Sequence, residues 1–395
     1  MKESITMIGN LLSDSVDTER MAAVRDATRE VTSRWDRKYY LGCIEDGRVP
    51  AELLEGLADS GLLGVGLAED LGGSGGGISE EVVLKETLSL AGLPLPYLIV
   101  PNFCRRVVAK FGTPEQRKSF IPGTLTGTSI TCFGLTEAES GTNAFAMRTR
   151  AEAVSDGWLV NGQKIYISGA GDASRMLLVA RTGTTDSGRA RLSLFILDLP
   201  RNGVTMTPMR TSATLPERQY VVSFDDVLLP PDALVGEEGQ GDRSMFFALN
   251  PERILGAAGS VGLGMHLLNR GAEFVKVRAP FGRPTGSYQA VQHPMARAYL
   301  QLQAARNLIY QAAADFDRGR NLGTAANAAK FLASEAAYDA YEATFQSFGG
   351  AAFDRDSDIL PFYELARLQR VAPINNETVL NFIAEKALGL PRSDR

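Results

Sequence analysis

Histidine is nearly absent from this chain. Two occur in 395 residues, His266 and His293, which argues against a histidine-rich metal site and against a serine–histidine–aspartate hydrolase. Both read as solvated or packed helix residues. Cysteine is almost as scarce: Cys43, Cys104 and Cys132 lie far apart. They suggest no disulfide framework and no CxxC metal spacing, and a reducing compartment is expected. Positive charge is not in excess, with 41 Lys plus Arg against 46 Asp plus Glu and a formal charge of −5. That leaves no basic field for nucleic acid. Long apolar runs are missing too. LPLPYLIVP, residues 93–101, is too short and proline-broken to span a bilayer. The opening MKESITMIGNLLSDSVD has acids early and no long apolar core, unlike a signal peptide. A cytoplasmic protein with no membrane, nucleic-acid or metal partner is predicted.

What is present is the composition of a globular protein, 44% hydrophobic and 22% charged, long enough for two or three domains. Three regions follow one another. Residues 1–128 read as helices with short breaks: VPAELLEGLADSGLL starts with Pro50 and ends near glycines, and LGGSGGG, 71–77, is a loop. Residues 129–240 carry β-type runs, SRMLLVAR, RLSLFILDL and RQYVVSFDDVLL, between turn signals. Their spacing suits an antiparallel sheet or barrel rather than βαβ units. From 241 to 395 the helical period returns. Ile254, Val261, Met265 and Leu268 share a face, as do Tyr299, Leu302, Ile309 and Phe316. Phe331, Tyr338, Tyr341, Phe345 and Phe348 form a third stripe, taken as core. The predicted fold class is α+β: an N-terminal helical domain, a central antiparallel β domain and a C-terminal helical bundle.

Four segments carry candidate chemistry. CFGLTEAESGTNA, 132–144, stands where helices give way to strands; Thr136, Ser140, Gly141 and Thr142 offer hydroxyl and backbone donors to an anion or ring edge, or form a plain loop. GWLVNGQKIYISGAGDAS, 157–174, reads as a hairpin turning at Asn161–Gly162, with Tyr166 and Ser168 on one face of its second strand. VRAPFGRPTGSYQAVQH, 277–293, links two helices and carries Arg278, a candidate phosphate clamp. FQSFGGAAF, 345–353, ends a helix on a double glycine, which admits a ligand backbone or simply stops the helix. In ALNPERILGAAGS, 248–260, Asn250 suits a cap, Pro251 a first helical position and Glu252 the positive end of the dipole. These residues alone do not decide whether Glu252 is more than that.

In order and spacing these segments resemble the acyl-CoA dehydrogenase family over nearly the whole chain. FGLTEAESGTN resembles its Leu-Thr-Glu-Pro-x-Ala-Gly-Ser-Asp segment, and NGQKIYIS its Asn-Gly-x-Lys-x-Trp-Ile-Thr. RAPFGRPTGSYQAVQH resembles Arg-x-x-Phe-Gly-x-Pro-Ile-x-x-Phe-Gln-x-Val-Gln, and QSFGGAAF resembles Gln-x-x-Gly-Gly-x-Gly-Tyr. FGTPEQRKSFIPGTLTG and YVVSFDDVLLPPDALVGEEGQG match further family segments. The resemblance implies the family fold, with a C-terminal four-helix domain and FAD between the β domain and those helices. It places Thr136 on the flavin ring, with main chain of Phe133 and Leu135 beside it, Thr142 facing the pyrophosphate and Gly141 among the cofactor-binding residues. Tyr166 would cover the flavin edge and Ser168 reach the region of N5. Arg278, Phe281, Gln289, Gln292, Gln346, Gly349 and Gly350 would hold phosphates and adenosine, some of them for a neighbouring subunit of a homodimer or homotetramer.

The implied reaction takes the α-proton of an acyl thioester while hydride leaves Cβ for the flavin. The base must be a well-placed carboxylate. Many members draw it from a late Tyr-Glu-Gly-Thr, but here Pro373 falls at that glutamate, and Glu377 fits a later structural glutamate better. A minority draw it from a Leu-x-x-Glu-Arg segment, and LNPER supplies Glu252. The rivals are Glu252 paired with an arginine and Glu364 as the base. An acyl thioester of CoA or of an acyl carrier protein would be the substrate, the departures from the pattern would fit a biosynthetic pathway, and an electron-transfer flavoprotein would be the acceptor. Alternatives on the same fold are a flavin monooxygenase or oxidase, or an inactive FAD-binding partner subunit.

Overall fold

The computed structural model describes residues 18–393 except 128, 187, 213, 214 and 321. The reading of the first 17 residues as unlike a signal peptide falls outside that set. In chain order the helices α1 (Glu19–Thr32), α2 (Arg37–Asp46), α3 (Ala51–Asp59), α4 (Ile78–Leu90), α5 (Ile99–Phe111) and α6 (Pro114–Phe120) come first. The strands β1 (Ile130–Gly134), β2 (Arg150–Val154), β3 (Gly157–Ser168), β4 (Ala173–Thr184), β5 (Ala190–Asp198), β6 (Val204–Pro208), β7 (Gln219–Leu229) and β8 (Leu234–Val235) follow. Then come α7 (Gly241–Val277), α8 (Gln289–Asp317), α9 (Gly323–Phe348), α10 (Phe362–Val371) and α11 (Asn376–Lys386). Helices thus precede and follow a central, mostly antiparallel sheet. The chain forms two compact units, one of Met1–Lys38, Gly76–Leu95 and Asn250–Arg395, the other of Tyr39–Gly75 and Pro96–Leu249.

In the helical unit α4 packs on α1 and α8, and α9 on α8, α10 and α11. Small residues bring α7 close to its neighbours. A Cβ on Gly262 would stand 2.3 Å from the Glu86 carbonyl oxygen of α4, so only glycine permits that approach. The stripe Ile254, Val261, Met265 and Leu268 is buried. On α9 the aromatic stripe is core at Tyr341 alone: Ala326, Ala329, Ala333, Ala336, Ala337, Ala340 and Ala343 are buried with it, while Phe331, Tyr338, Phe345 and Phe348 are only half-buried. Alanine lets helix axes approach where rings would hold them apart, so the other four rings sit at the flanks. His266 on α7 packs its ring at 5.3 Å from Phe362, and burial pushes it down to about 4, so it is neutral; His293 on α8 is exposed.

The β unit centres on one sheet in the order β6-β7-β3-β2-β4-β5-β8, with β1 parallel to β4. Its core joins Phe103, Val107 and Phe120 to Met147, Leu177, Val179, Leu192 and Leu194. Helix α6 begins on a capping box: Gln116 N–H donates to Thr113 Oγ1 at 3.2 Å and Thr113 N–H to Gln116 Oε1 at 3.0 Å.

Two local expectations are corrected. The hairpin β2–β3 turns before Gly157, and Asn161–Gly162 lies inside β3. There Gly162 takes φ +145° at a register shift against β7, and the Asn161 side chain pairs with Asp226. The glycine serves a bulge rather than a turn. Helix α7 starts at Gly241, so Pro251 is interior and Asn250 is no cap. Instead Asn250 Oδ1 accepts from Arg253 Nη1 at 3.0 Å.

Candidate active site

In the β unit the candidate residues are arranged around one buried ion pair. Strand β1 ends at Gly134, and Leu135 and Thr136 leave it half-buried. Phe133 is fixed by its ring contact with Phe103, 4.5 Å between centroids. Glu137 turns inward. Its Oε1 accepts from Lys164 Nζ and Thr149 N–H, both at 2.9 Å, and its Oε2 from Arg148 N–H at 2.6 Å. Burial alone would raise this carboxyl; the Lys164 charge and the hydrogen bonds outweigh it and hold Glu137 below its ordinary value. Burial in turn pushes Lys164 down to about 8 against the pull of Glu137. The motif loop closes with Glu137 and Ser140 exchanging backbone hydrogen bonds and Ser140 Oγ donating to Asn143 O at 2.8 Å. Gly141 and Thr142 stand exposed.

Strand β3 brings the second motif to this loop, with Ile165 N–H donating to Thr136 O at 2.9 Å. A register shift between Lys164 and Ile167 places Tyr166 at φ +55°, and its ring is 58% exposed. A positive φ on a bulky residue is a strained conformation, of the kind retained at functional sites. Ser168 Oγ is bonded to the Gln219 side-chain amide at 2.9–3.1 Å. The Thr136 hydroxyl has no hydrogen-bond partner among the described residues.

In the helical unit Glu252 lies one residue past Pro251 on α7, half-buried. Among the described residues its carboxyl makes no hydrogen bond or contact ion pair, and Arg253 is turned to Asn250. Burial pushes Glu252 up to about 7, with the Arg253 charge pulling the other way. Glu364 sits in the first turn of α10, where a carboxylate suits the dipole, and has a partner. Pro373 and Glu377 are exposed.

The remaining candidates gather at one end of this unit. Phe274 near the end of α7 stacks on Phe348 at the end of α9, 4.1 Å between centroids. That contact brings the Arg278 loop and the Gln346–Gly350 segment together. Thr285 N–H donates to Arg278 O at 2.7 Å, and Gly282 turns the loop at φ +78°. Phe281 is 82% exposed, and Arg278, Gln289, Gln292 and Gln346 are exposed without side-chain partners among the described residues. An added Cβ at Gly349 or Gly350 would meet nothing within 4 Å. One guanidinium, three amides and an open glycine pair form a donor set that fits a dinucleotide's phosphates and adenosine. The free Thr136 hydroxyl and exposed Tyr166 ring fit the edge of a flavin. The Glu137–Lys164 pair escaped the sequence reading. Its signal was a lysine and a glutamate inside two quoted motifs, residue types that normally read as surface.

The family described as acyl-CoA dehydrogenase matches in three parts: its N-terminal domain over residues 18–128, its middle domain over 132–227 and its C-terminal domain over 239–388. The acyl-CoA dehydrogenase FadE12 of Mycobacterium tuberculosis is 36% identical over 381 residues, covering 96% of this chain and 98% of the relative. Butyryl-CoA dehydrogenase from Megasphaera elsdenii superposes with a TM-score of 0.88 at 26% identity, covering 94% of this chain and 99% of that one. A chain from the structure of the electron transferring flavoprotein of Acidaminococcus fermentans gives a TM-score of 0.87 at 26% identity, covering 94% and 98%. No described helix is long and apolar enough to cross a membrane. With all three family domains matched in order, this chain belongs to the acyl-CoA dehydrogenases, FAD-dependent enzymes that oxidise acyl thioesters.

Proposed function

We propose that Glu252 is the base of this dehydrogenase. The observation that supports it is a half-buried carboxyl without a contact partner, raised to about 7 on a helix of the core. A base near the operating pH combines an available deprotonated form with useful proton affinity. Its carboxylate oxygen takes the α-proton of the acyl thioester. FAD, when bound, accepts the hydride from Cβ. The Thr136 hydroxyl and the main chain at Phe133 and Leu135 hold the flavin ring, with Gly141 and Thr142 toward the pyrophosphate. Tyr166 shields the flavin edge, and Ser168 keeps a hydroxyl beside it. Arg278, Phe281, Gln289, Gln292, Gln346, Gly349 and Gly350 carry phosphates and adenosine.

Departures from the family pattern support a finer reading. Pro373, Tyr166, Ala351 and Ala352 replace the family's glutamate, tryptophan and small-aromatic residues. They fit a biosynthetic dehydrogenase whose acyl group is unusual and is carried on CoA or a carrier-borne pantetheine. Membership of the acyl-CoA dehydrogenase family supports an electron-transfer flavoprotein as acceptor. The exposed Phe281 supports a homodimer or homotetramer. Three buried cysteines, none of them in a disulfide, support a cytoplasmic location. Domain bounds of 1–128, 129–240 and 241–395 remain the proposed division.

The test is Glu252→Gln. It retains FAD and loses substrate-dependent flavin bleaching by about a thousandfold. Undiminished bleaching moves the base elsewhere, with Glu364 next. Product analysis across CoA- and carrier-bound acyl chains tests the finer reading.

A further inference from the structure

We propose that Lys164 is a positioning residue for the cofactor loop: its sealed ammonium sets the backbone on either side of Thr136, and so the direction of that residue's hydroxyl. The proposal rests on the reading of residues 133–142 as the flavin-facing loop.

The Lys164 side chain is 0% exposed and that of Glu137 7%. Three acceptors surround the ammonium: Leu135 O at 2.9 Å, Glu137 Oε1 at 2.9 Å and Met147 Sδ at 3.7 Å. An ammonium has three N–H donors, so its orientation is fully determined. The next residue, Ile165, donates its N–H to Thr136 O at 2.9 Å. Leu135, Thr136 and Glu137 are therefore held in succession by Lys164, Ile165 and Lys164 again. Glu137 passes the restraint on, since its other bonds fix Arg148 and Thr149 at the far end of the loop. Thr136 is left with a fixed peptide and a hydroxyl without a partner among the described residues.

Stability alone does not account for the lysine. A buried ion pair replaced by apolar residues of similar size is often as stable or more so. An apolar residue here would fill the volume yet give Leu135 O no donor. The ammonium is the group that reaches from β3 to the Leu135 carbonyl and the Glu137 carboxylate of the loop, which is how a supporting shell fixes the residues that touch a ligand.

Three variants test this: Lys164→Met, Lys164→Gln and the double Lys164→Met/Glu137→Gln. The readouts are apoprotein melting, FAD affinity by flavin fluorescence, the flavin midpoint potential and exchange of the Ile165 amide in apoprotein. Lys164→Met should weaken FAD roughly tenfold to a hundredfold, displace the potential and speed Ile165 exchange. The double variant, with no uncompensated charge, should regain melting temperature while keeping the weakened affinity and displaced potential. Lys164→Gln, which restores a donor to Leu135 O, should recover part of both. A double variant with wild-type affinity and potential would overturn the proposal and leave the pair a fold-stabilising contact. Wild-type apoprotein that takes up no FAD would instead sink the flavin-loop reading, and Ile165 exchange would still report whether Lys164 orders the loop.

Discussion

Glu137 and Glu252 are carboxyls withdrawn from water, one in each unit, and their surroundings drive them in opposite directions. Around Glu137 every oxygen has a donor, and the Lys164 ammonium and two backbone amides keep it ionised below its ordinary value. Around Glu252 no donor among the described residues is in contact, and burial lifts it to about 7. A satisfied carboxylate holds structure and has no reason to take a proton. An unsatisfied one near neutrality has room for a proton and for a substrate. The contrast marks Glu137 as a structural acid and supports the proposed role of Glu252, without reference to motif position.

The largest effect that would break the contrast is on turnover. Glu252→Gln should abolish it by about a thousandfold, whereas Glu137→Gln should act mainly on folding and FAD retention. Next in size, Glu137→Ala leaves Lys164 buried without its counter-charge. It should destabilise the protein by about 3–5 kcal/mol in urea melts at neutral pH. A carboxyl held low contributes stability above its unfolded pKa that is lost in acid, so this deficit should shrink as pH falls through the carboxylate range. Glu252 has the opposite sign. Its folded pKa is raised from 4.5 to about 7, so the native state holds the proton more tightly and stability falls as pH rises between those values. Glu252→Gln should therefore gain stability above pH 7, by at most about 3 kcal/mol, and lose the gain below 4.5. A melt series at pH 4 and 8 reads this sign. Smallest, Gly262→Ala should cost about 1–3 kcal/mol through overpacking against Glu86 O, with flavin binding retained.

The three-part layout was legible because periodicity and turn residues act locally. Ile254, Val261, Met265 and Leu268 announced a buried face and form one. Where tertiary packing overrode local signals, the reading failed. Pro251 looks like a helix start, yet α7 runs through it. Asn161–Gly162 looks like a turn, yet β7 extends the strand across it as a bulge. The aromatic stripe of α9 reads as core, yet only Tyr341 of it is buried, because close helix packing selects the alanines. The proposed site residues rest on motif resemblance, and the proposal of Glu252 on the absence of a glutamate at Pro373. The Glu137–Lys164 pair was not legible, because burial of a charge depends on partners that are 27 residues apart.

The most direct test of the account is the pH dependence of single-turnover flavin bleaching by the acyl thioester, in wild type and in Glu252→Gln. The account predicts a wild-type rate that climbs with pH and levels off above about 7, and a residual rate in the variant that lacks this ionisation. The same limb at the same rate in Glu252→Gln would show that another group takes the proton.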